Sequence, residues 1–419
     1  MSRPASEGTR VAVFVPADLA SRTLGGIQTF VRGFVKFAPR DVPVEVIGAT
    51  SDAGERPIGR WQALHVGERS VPYLPVARVP AGAQRARVPV ALRYTAALLR
   101  YAHRIPTKRR VLQFHRAGTP LAIVGRSISA IQVVHLNVAD IYAEAGESRW
   151  RSVPGLYQRV EDVTLGRMAR VFFVNRAGLD LYAARYPRLA DRFEFMTTWF
   201  DHTQFRPPTS GERDRVRHEL CTELGWPASA AAEPLILFVG RLEAQKNPAL
   251  VIDAFAAHRA TAGRGRLLLV GDGTLREDAR RQVEASGLTD VVRLIGAQQP
   301  HNVARLMRAA DALLLASLFE GMPITVLEAL GSGLPVVSTA VGEVPRVVTS
   351  GVSGWLASDQ SAKELARGLA WVIEQEPSEL TANVLRASEP YSADRVLEPF
   401  YAAHREVWHA HWSAVTNSG

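Results

Sequence analysis

The sequence predicts an α/β protein made of two doubly wound parallel sheets facing across a cleft. Three observations carry that prediction. Short β-branched runs alternate with helical patterns along all 419 residues. Several runs, among them LILFVG, RLLLVG and DALLLAS, are apolar on both faces, as strands covered by helices on each side must be. The segments between runs are long enough for the crossover helices that parallel neighbours require.

In the first half, strands are expected near Arg10–Val15, Val44–Ala49, Val111–His115, Ile131–Leu136, Arg170–Asn175 and Phe193–Thr197. In the second half they fall near Leu235–Gly240, Arg266–Gly271, Val291–Gly296, Ala312–Ser317, Pro335–Thr339 and Gly354–Ala357. Asn247-Pro248 and Met322-Pro323 are helix starts, proline being favoured at the first helical position. A linker reading FRPPTSGERD places the boundary near Phe205–Gly211, giving a first domain of residues 1–205 and a second of 206–389. Pro390–Trp412 is a separate helical pattern within a terminal segment, residues 390–419.

Composition narrows the class. The chain is 47% apolar and 22% charged, ordinary for a globular protein and unlike disordered or collagenous chains. No apolar run approaches the roughly 18 residues needed to cross a bilayer. Val11–Val15 runs straight into Pro16 and Asp18, unlike a signal peptide. One cysteine, Cys221, allows neither an internal disulfide nor a zinc cluster, so a cytoplasmic protein is expected. The net charge of +9 is uneven: Arg69 to Ala139 holds twelve Lys or Arg and no acid, leaving −3 for the rest. A strongly positive face attracts phosphate, nucleic acid or anionic lipid. No nucleic-acid module accompanies the window, and no nucleic-acid partner is expected.

Ligands of doubly wound sheets bind at the carboxyl ends of the strands. Three such ends in the second half suit an anionic ligand. In LFVGRLEAQKNPAL, Arg241 and Lys246 precede a helix capped by Asn247, whose free N–H groups already favour a diphosphate. The plainer alternative is a solvated loop. In LLLVGDGTLRED, Gly271 and Gly273 let backbone approach a ligand, with Arg276 behind them; a GxG alone is as often a tight turn. In SLFEGMPITVLEAL, Glu320 closes the loop, Gly321 and Met322 offer amides at the Pro323–Ile324 helix start, and Glu328 can reach vicinal hydroxyls. The helix dipole alone also favours acids there.

Taken together, Gly-Arg-Leu-x-x-x-Lys-x-Pro, Gly-Asp-Gly-x-Leu-Arg, Glu-Gly-Met-Pro-x-x-x-Leu-Glu-Ala and Gly-Leu-Pro-Val-Val, in that order, resemble the donor domain of retaining glycosyltransferases of family 4, the group 1 glycosyl transferases. The match covers roughly Leu235 to Gly354. The resemblance implies the GT-B fold of two Rossmann-like domains. It implies that Arg241 and Lys246 hold the diphosphate of a nucleotide sugar, Glu328 the ribose and Glu320 the donor sugar. The base would lie against backbone near Leu294, Ile295 and Gly296.

The first half resembles the family more loosely. LGGIQTFVRGF fits its glycine loop, so Gly25 and Gly26 are expected at the donor phosphate or the acceptor. His135 falls where the family often has a histidine near the reacting sugar, whereas a lone strand-end histidine is otherwise commonly structural. His115 and Arg116 are assigned to the acceptor or membrane side. Asn175-Arg176 matches a strand end that usually carries a small polar residue. Thr198-Trp199-Phe200-Asp201 replaces the usual Asn-Gly-Val-Asp turn. The final helix would cross back onto the first domain.

The reaction implied is transfer with retention to a glycan, lipid-linked or small-molecule acceptor. His135, Glu320, Arg241 and Lys246 form the catalytic group, with no metal and no cofactor, because no Asp-x-Asp occurs. Replacing Arg241 or Lys246, both loop residues, is expected to cost activity far more than stability. The basic window, including Arg100, Arg104, Lys108 and Arg109, is expected on an anionic membrane surface, with a peripheral location at its inner face. Two alternatives stay open: a non-hydrolysing nucleotide-sugar epimerase of the same fold, and a non-catalytic nucleotide-sugar binder.

Overall fold

The structure, a computed structural model, describes residues 8–21, 26–79, 90–116, 118–123, 129–135 and 154–416. The chain divides into two compact units, Met1–Thr198 with Asp394–Gly419, and Trp199–Ala393.

The first unit holds an eight-stranded sheet: β1 (Val11–Phe14), β2 (Val44–Thr50), β3 (Gln62–Val66), β4 (Arg69–Arg78), β5 (Val111–Phe114), β6 (Ala130–Val134), β7 (Arg170–Phe173) and β8 (Phe193–Phe195). Their order is β3-β4-β2-β1-β5-β6-β7-β8. All neighbours are parallel except β3 and β4, which pair antiparallel from Gln62↔Tyr73 to Val66↔Arg69. Helices α1 (Gly26–Phe37), α2 (Val90–Tyr101), α3 (Pro154–Leu165) and α4 (Arg176–Arg185) belong to this unit. The sequence reading anticipates six of the eight strands and misses the β3–β4 hairpin. Pro72 and Pro75 inside β4 argue against a strand there, since proline cannot donate to the ladder. The hairpin turn is only Gly67-Glu68, with Gly67 at φ 61°.

The second unit holds a six-stranded, wholly parallel sheet, every strand of which the apolar runs predict. Its strands are β9 (Leu235–Val239), β10 (Arg266–Val270), β11 (Val292–Gly296), β12 (Ala312–Leu315), β13 (Val336–Thr339) and β14 (Gly354–Ala357), in the order β11-β10-β9-β12-β13-β14. The central strands β9, β10, β12 and β13 are buried throughout, which is why they read as unbroken apolar runs. Helices α5 (Glu212–Leu224), α6 (Pro248–Ala262), α7 (Arg276–Ala285), α8 (Pro300–Ala309), α9 (Ile324–Gly331), α10 (Val344–Val347), α11 (Ala362–Glu374) and α12 (Pro377–Ser388) accompany it.

The second unit takes in chain from Trp199 onward, earlier than the Pro-Pro linker suggests. The Phe200 N–H donates to the Tyr391 carbonyl at 3.1 Å, and the Ala393 N–H donates to the Phe200 carbonyl at 3.1 Å. A Cβ on Gly331 would lie 2.2 Å from the Phe200 ring, so the ring sits directly on α9. Phe200 thereby ties its segment into this unit's core, and the departure at Trp199-Phe200 from the usual small turn is a packing device.

The last helix, α13 (Ala393–Thr416), belongs to the first unit from Asp394 onward. Phe400 meets the rings of Phe30, Phe34 and Phe172, and the Tyr401 hydroxyl donates to the Phe34 carbonyl at 2.7 Å. Among the described residues no helix is long and apolar enough to cross a membrane.

Candidate active site

In a parallel sheet, the crevice opens where successive strands are laid down in opposite directions. In the second unit that reversal lies between β9 and β12. The loops leaving those two strands carry the expected donor residues.

The loops are held together by one buried ion pair and one glutamine. Lys246 Nζ donates to Glu320 Oε1, and the two side chains are only 13% and 8% exposed. Gln245 is the second clamp, and the sequence reading missed it. Its carbonyl accepts from the Leu318 N–H at 2.9 Å, its Nε2 donates to the Phe319 carbonyl at 3.1 Å, and its Oε1 accepts from Arg241 at 3.2 Å. Arg241 itself is exposed. Asn247 caps α6 as expected, accepting from the Leu250 N–H, but does so from a left-handed conformation at φ 47°. The pair corrects one expectation. Lys246 lies in a loop, yet removing it strands a buried carboxylate, so its replacement costs the fold as well as the site.

The glycines at neighbouring strand ends are there for close approach. A Cβ on Gly271, at φ 143°, would stand 1.7 Å from the Gly240 carbonyl oxygen, and one on Gly273 would stand 2.3 Å from that of Leu242. Arg276 pairs with Asp272 at 3.2 Å. Leu294 and Ile295 are half-buried, and the register shift against β10 leaves Ile295 without a ladder partner between Leu294 and Gly296. Its carbonyl accepts from Gln298 at 2.9 Å.

Beyond Glu320, the space a Cβ on Gly321 would enter is open. Met322 is half-buried, Pro323 is the N-cap of α9, and Ile324 is its first residue. Gly342, which no sequence pattern marks, backs this loop. At φ 54° its Cβ would stand 2.2 Å from the Glu320 carbonyl oxygen, and the next residue, Glu343, donates its N–H to Gly321 at 2.9 Å. The buried hydroxyls of Ser317 and Thr325, at the two ends of the same segment, have no hydrogen-bond partner.

Glu328, on α9, is pushed up to about 8 from its ordinary 4.5 by burial, with the Asp201 carboxylate adding to the effect. Asp201 accepts from the backbone and hydroxyl of Thr203. It stands in the turn that departs from the family pattern, so sequence reasoning left its relation to Glu328 unread.

The first unit repeats the topology. Its strand order reverses between β1 and β5. A cavity there is lined by Val15, Pro16, Ala17, Gly26, Ile27, Gln28 and Arg116. Gly26 opens α1, and a Cβ on it would meet nothing within 4 Å. A helix N-terminus beside an arginine suits an anion. Gly25 lies outside the described residues. His135, at the end of β6, bonds His115 across a 2.8 Å Nε2–Nδ1 contact and meets the Phe30 ring edge-on. Burial, and then the Arg116 charge, push His135 down to about 3. His115 is 3% exposed, so it reaches any substrate only through His135. Asn175 is an N-cap, accepting from the Gly178 N–H at 2.6 Å.

The two doubly wound sheets are those of the GT-B fold. The chain overlays sucrose-phosphate synthase of Thermosynechococcus elongatus with a TM-score of 0.72 at 18% identity, covering 96% of this chain and all of that one. It overlays Anabaena HepE, solved with UDP and glucose, with a TM-score of 0.66 at 18% identity, covering 93% and 98%. A Salmonella typhimurium glycosyltransferase, provisionally assigned by name to colanic acid biosynthesis, is 29% identical over 322 residues, which are 72% of this chain and 78% of that relative. Erwinia amylovora AmsK, an amylovoran biosynthesis glycosyltransferase, is 33% identical over 144 residues, 33% of this chain and 35% of that one. Residues 227–387 match the family model of glycosyl transferases group 1. Residues 227–387 are therefore a group 1 glycosyl transferase domain, and over 72% of its length the chain is similar to a named glycosyltransferase.

Two consequences are measurable. Lys246→Ala should lower stability by about 3 kcal/mol, as removal of one partner of a buried pair does. Glu320→Gln in the same chain should recover much of that loss, because no unpaired charge remains. Chemical denaturation of both variants reads this, and a Lys246→Ala protein as stable as wild type contradicts it. For Glu328, the folded state holds a proton that the unfolded state releases near 4.5. The stability from this group is therefore whole below that pH and is lost as pH rises through about 8. Glu328→Gln should raise the melting temperature at pH 9 and leave it nearly unchanged at pH 4.

Proposed function

We propose that the chain transfers a sugar from a nucleotide diphosphate sugar with retention of anomeric configuration, without a metal, as family 4 enzymes do. The observation that carries this reading is the Lys246–Glu320 pair at the strand-order reversal of the second sheet. A cation and an acid, held together and largely shielded from water, match a donor's two polar ends. The diphosphate takes up Lys246 and Arg241, and Glu320 is released to the sugar hydroxyls. Glu328 binds the ribose, and the base lies against Leu294–Gly296. That HepE was solved with UDP and glucose supports a nucleotide sugar as donor.

As the bond from the anomeric carbon to the phosphate oxygen breaks, charge grows on the diphosphate. Arg241, Lys246 and the N-terminal amides of α9 stabilise it. The acceptor oxygen bonds to the same face of the anomeric carbon, and its proton passes to the departing phosphate oxygen. His135 and the Gly26–Arg116 cavity serve the reacting sugar or the acceptor.

The acceptor is proposed to be presented at an anionic membrane surface. Support comes from α2. Its inner side buries Tyr94 and Leu98, while Leu92 and Leu99 are 50% and 62% exposed and sit beside the exposed Arg93 and Arg100. Apolar side chains flanked by cations suit a headgroup boundary. Not all of the basic window contributes. Arg110 is paired with Glu45 at 2.9 Å, and Arg104 donates to the Gly59 carbonyl.

Turnover should survive EDTA, and strict dependence on added Mg²⁺ or Mn²⁺ overturns the metal-free route. Slow hydrolysis of the donor without acceptor separates an enzyme from a nucleotide-sugar binder. The protein should float with vesicles rich in anionic lipid, less so as salt rises. Leu92→Ser with Leu99→Ser and Arg93→Gln with Arg100→Gln should each weaken flotation while leaving donor hydrolysis intact. Wild-type protein that never floats points to a soluble acceptor.

A further inference from the structure

Four side chains from three elements form one continuous hydrogen-bonded chain inside the first unit. It begins on α13, where His404 Nδ1 lies 2.7 Å from the Phe400 carbonyl oxygen. His404 Nε2 lies 2.8 Å from the Gln113 side-chain amide on β5. The other end of that amide lies 2.9 Å from His115 Nε2. His115 Nδ1 lies 2.8 Å from His135 Nε2 at the end of β6. Its inner links are dry: His404 and Gln113 have no exposed surface, and the rings of Phe30, Phe34 and Phe400 wall the relay.

Donor and acceptor counting gives the chain a direction. A carbonyl oxygen only accepts, so His404 must carry its proton on Nδ1. A neutral His404 then offers a lone pair at Nε2 and needs an N–H opposite it. A glutamine amide occupies the same positions after a half-turn, so its partners set its orientation. Gln113 must turn its NH₂ to His404 and its oxygen to His115. That oxygen accepts from His115 Nε2–H, which leaves His115 Nδ1 as a lone pair. His135 must donate to it from Nε2. Neutral rings fit the surroundings: burial pushes His404 down to about 4 and His115 well below its ordinary value. Within the chain the groups facing His404 are Gln113, Phe34 and Phe400, none of them charged.

We propose that His404 and Gln113 are positioning residues that act through His115 to hold His135 in the Nε2–H tautomer, with its Nδ1 unprotonated. The importance of this for transfer rests on the placement of His135 in the reaction site above; the tautomer itself does not. A helix from the far end of the sequence thereby sets the hydrogen-bonding character of a strand-end histidine. His135 is made an acceptor at its second nitrogen, suited to a hydroxyl and unsuited to a phosphate oxygen.

The test is long-range ¹H–¹⁵N correlation on the full chain labelled at histidine, which distinguishes bare from protonated ring nitrogens. His135 should show a protonated Nε2 and a bare Nδ1, and His404 the reverse. His404→Phe keeps the aromatic packing but frees the Gln113 amide, and His135 should then populate both tautomers. His404→Gln, which restores an acceptor, should return the single form. In His404→Phe, kcat should fall about tenfold, the effect of one ordinary hydrogen bond, with KM for the donor unchanged. Gln113→Glu gives a second check should His404→Phe not fold. A carboxylate still accepts from His115, so His135 should keep its tautomer while His404 gains a second proton. A wild-type His135 protonated on Nδ1, or a folded His404→Phe with His135 unchanged, overturns the proposal. If the tautomer mixes and the rate holds, the relay stands and the placement of His135 at the reacting sugar falls.

Discussion

The second unit depends on a reversal in strand order and on the buried ion pair that closes it. Parallel strands deliver all their carboxyl ends to one edge, and the β9/β12 reversal parts the two loops that follow. An opened crevice would leave those loops without mutual support. Lys246 and Glu320 supply it electrostatically, and Gln245 supplies it through three hydrogen bonds to both loops. Isolated buried pairs seldom stabilise a fold over an apolar alternative. Keeping one at a strand-order reversal makes sense if a ligand replaces each partner in turn. The pair then stores the site's charges in a neutral, organised form until a ligand brings its own anion and hydroxyls.

Much of this could be read from the sequence, and the reason is physical. Strands of a doubly covered parallel sheet are apolar on both faces, so β9, β10, β12 and β13 announce themselves. The candidate site lies at strand ends, where Gly240 and Gly271 follow the apolar run directly and Glu320 closes the loop after β12. The Asn247-Pro248 helix start was legible because capping chemistry is local. What stayed hidden is non-local. The β3–β4 hairpin carries prolines that argue against it, and the irregular β2–β4 pairing at Pro75 is a non-local feature. Gly342 is an unremarkable glycine in sequence, and its role exists only because another loop's backbone lies 2.2 Å from where its Cβ would be. Asp201 shifts Glu328 across more than a hundred residues of chain.

The charge count shows the same limit. Twelve cations in an acid-free window suggest one uniform basic face, but sequence-local counting omits partners from elsewhere. Glu45 on β2 neutralises Arg110, and the Gly59 carbonyl takes Arg104. What distinguishes α2 is the exposure of Leu92 and Leu99 among the remaining cations. Likewise His115, read as a strand-end candidate, is an interior link between Gln113 and His135, and Gln113 in turn bonds His404, 291 residues away in sequence.

The central claim is that a donor diphosphate takes Lys246 from Glu320. Calorimetric titration with UDP, GDP and ADP, compared across wild type, Lys246→Met and Glu320→Gln, tests it most directly. For whichever nucleotide the wild type binds, Lys246→Met should weaken binding by tenfold or more, as loss of a charge-assisted contact does. Glu320→Gln should bind at least as tightly as wild type, because the lysine no longer has a competing acid. Lys246→Met that binds as well as wild type, or Glu320→Gln that binds much more weakly, would contradict the account.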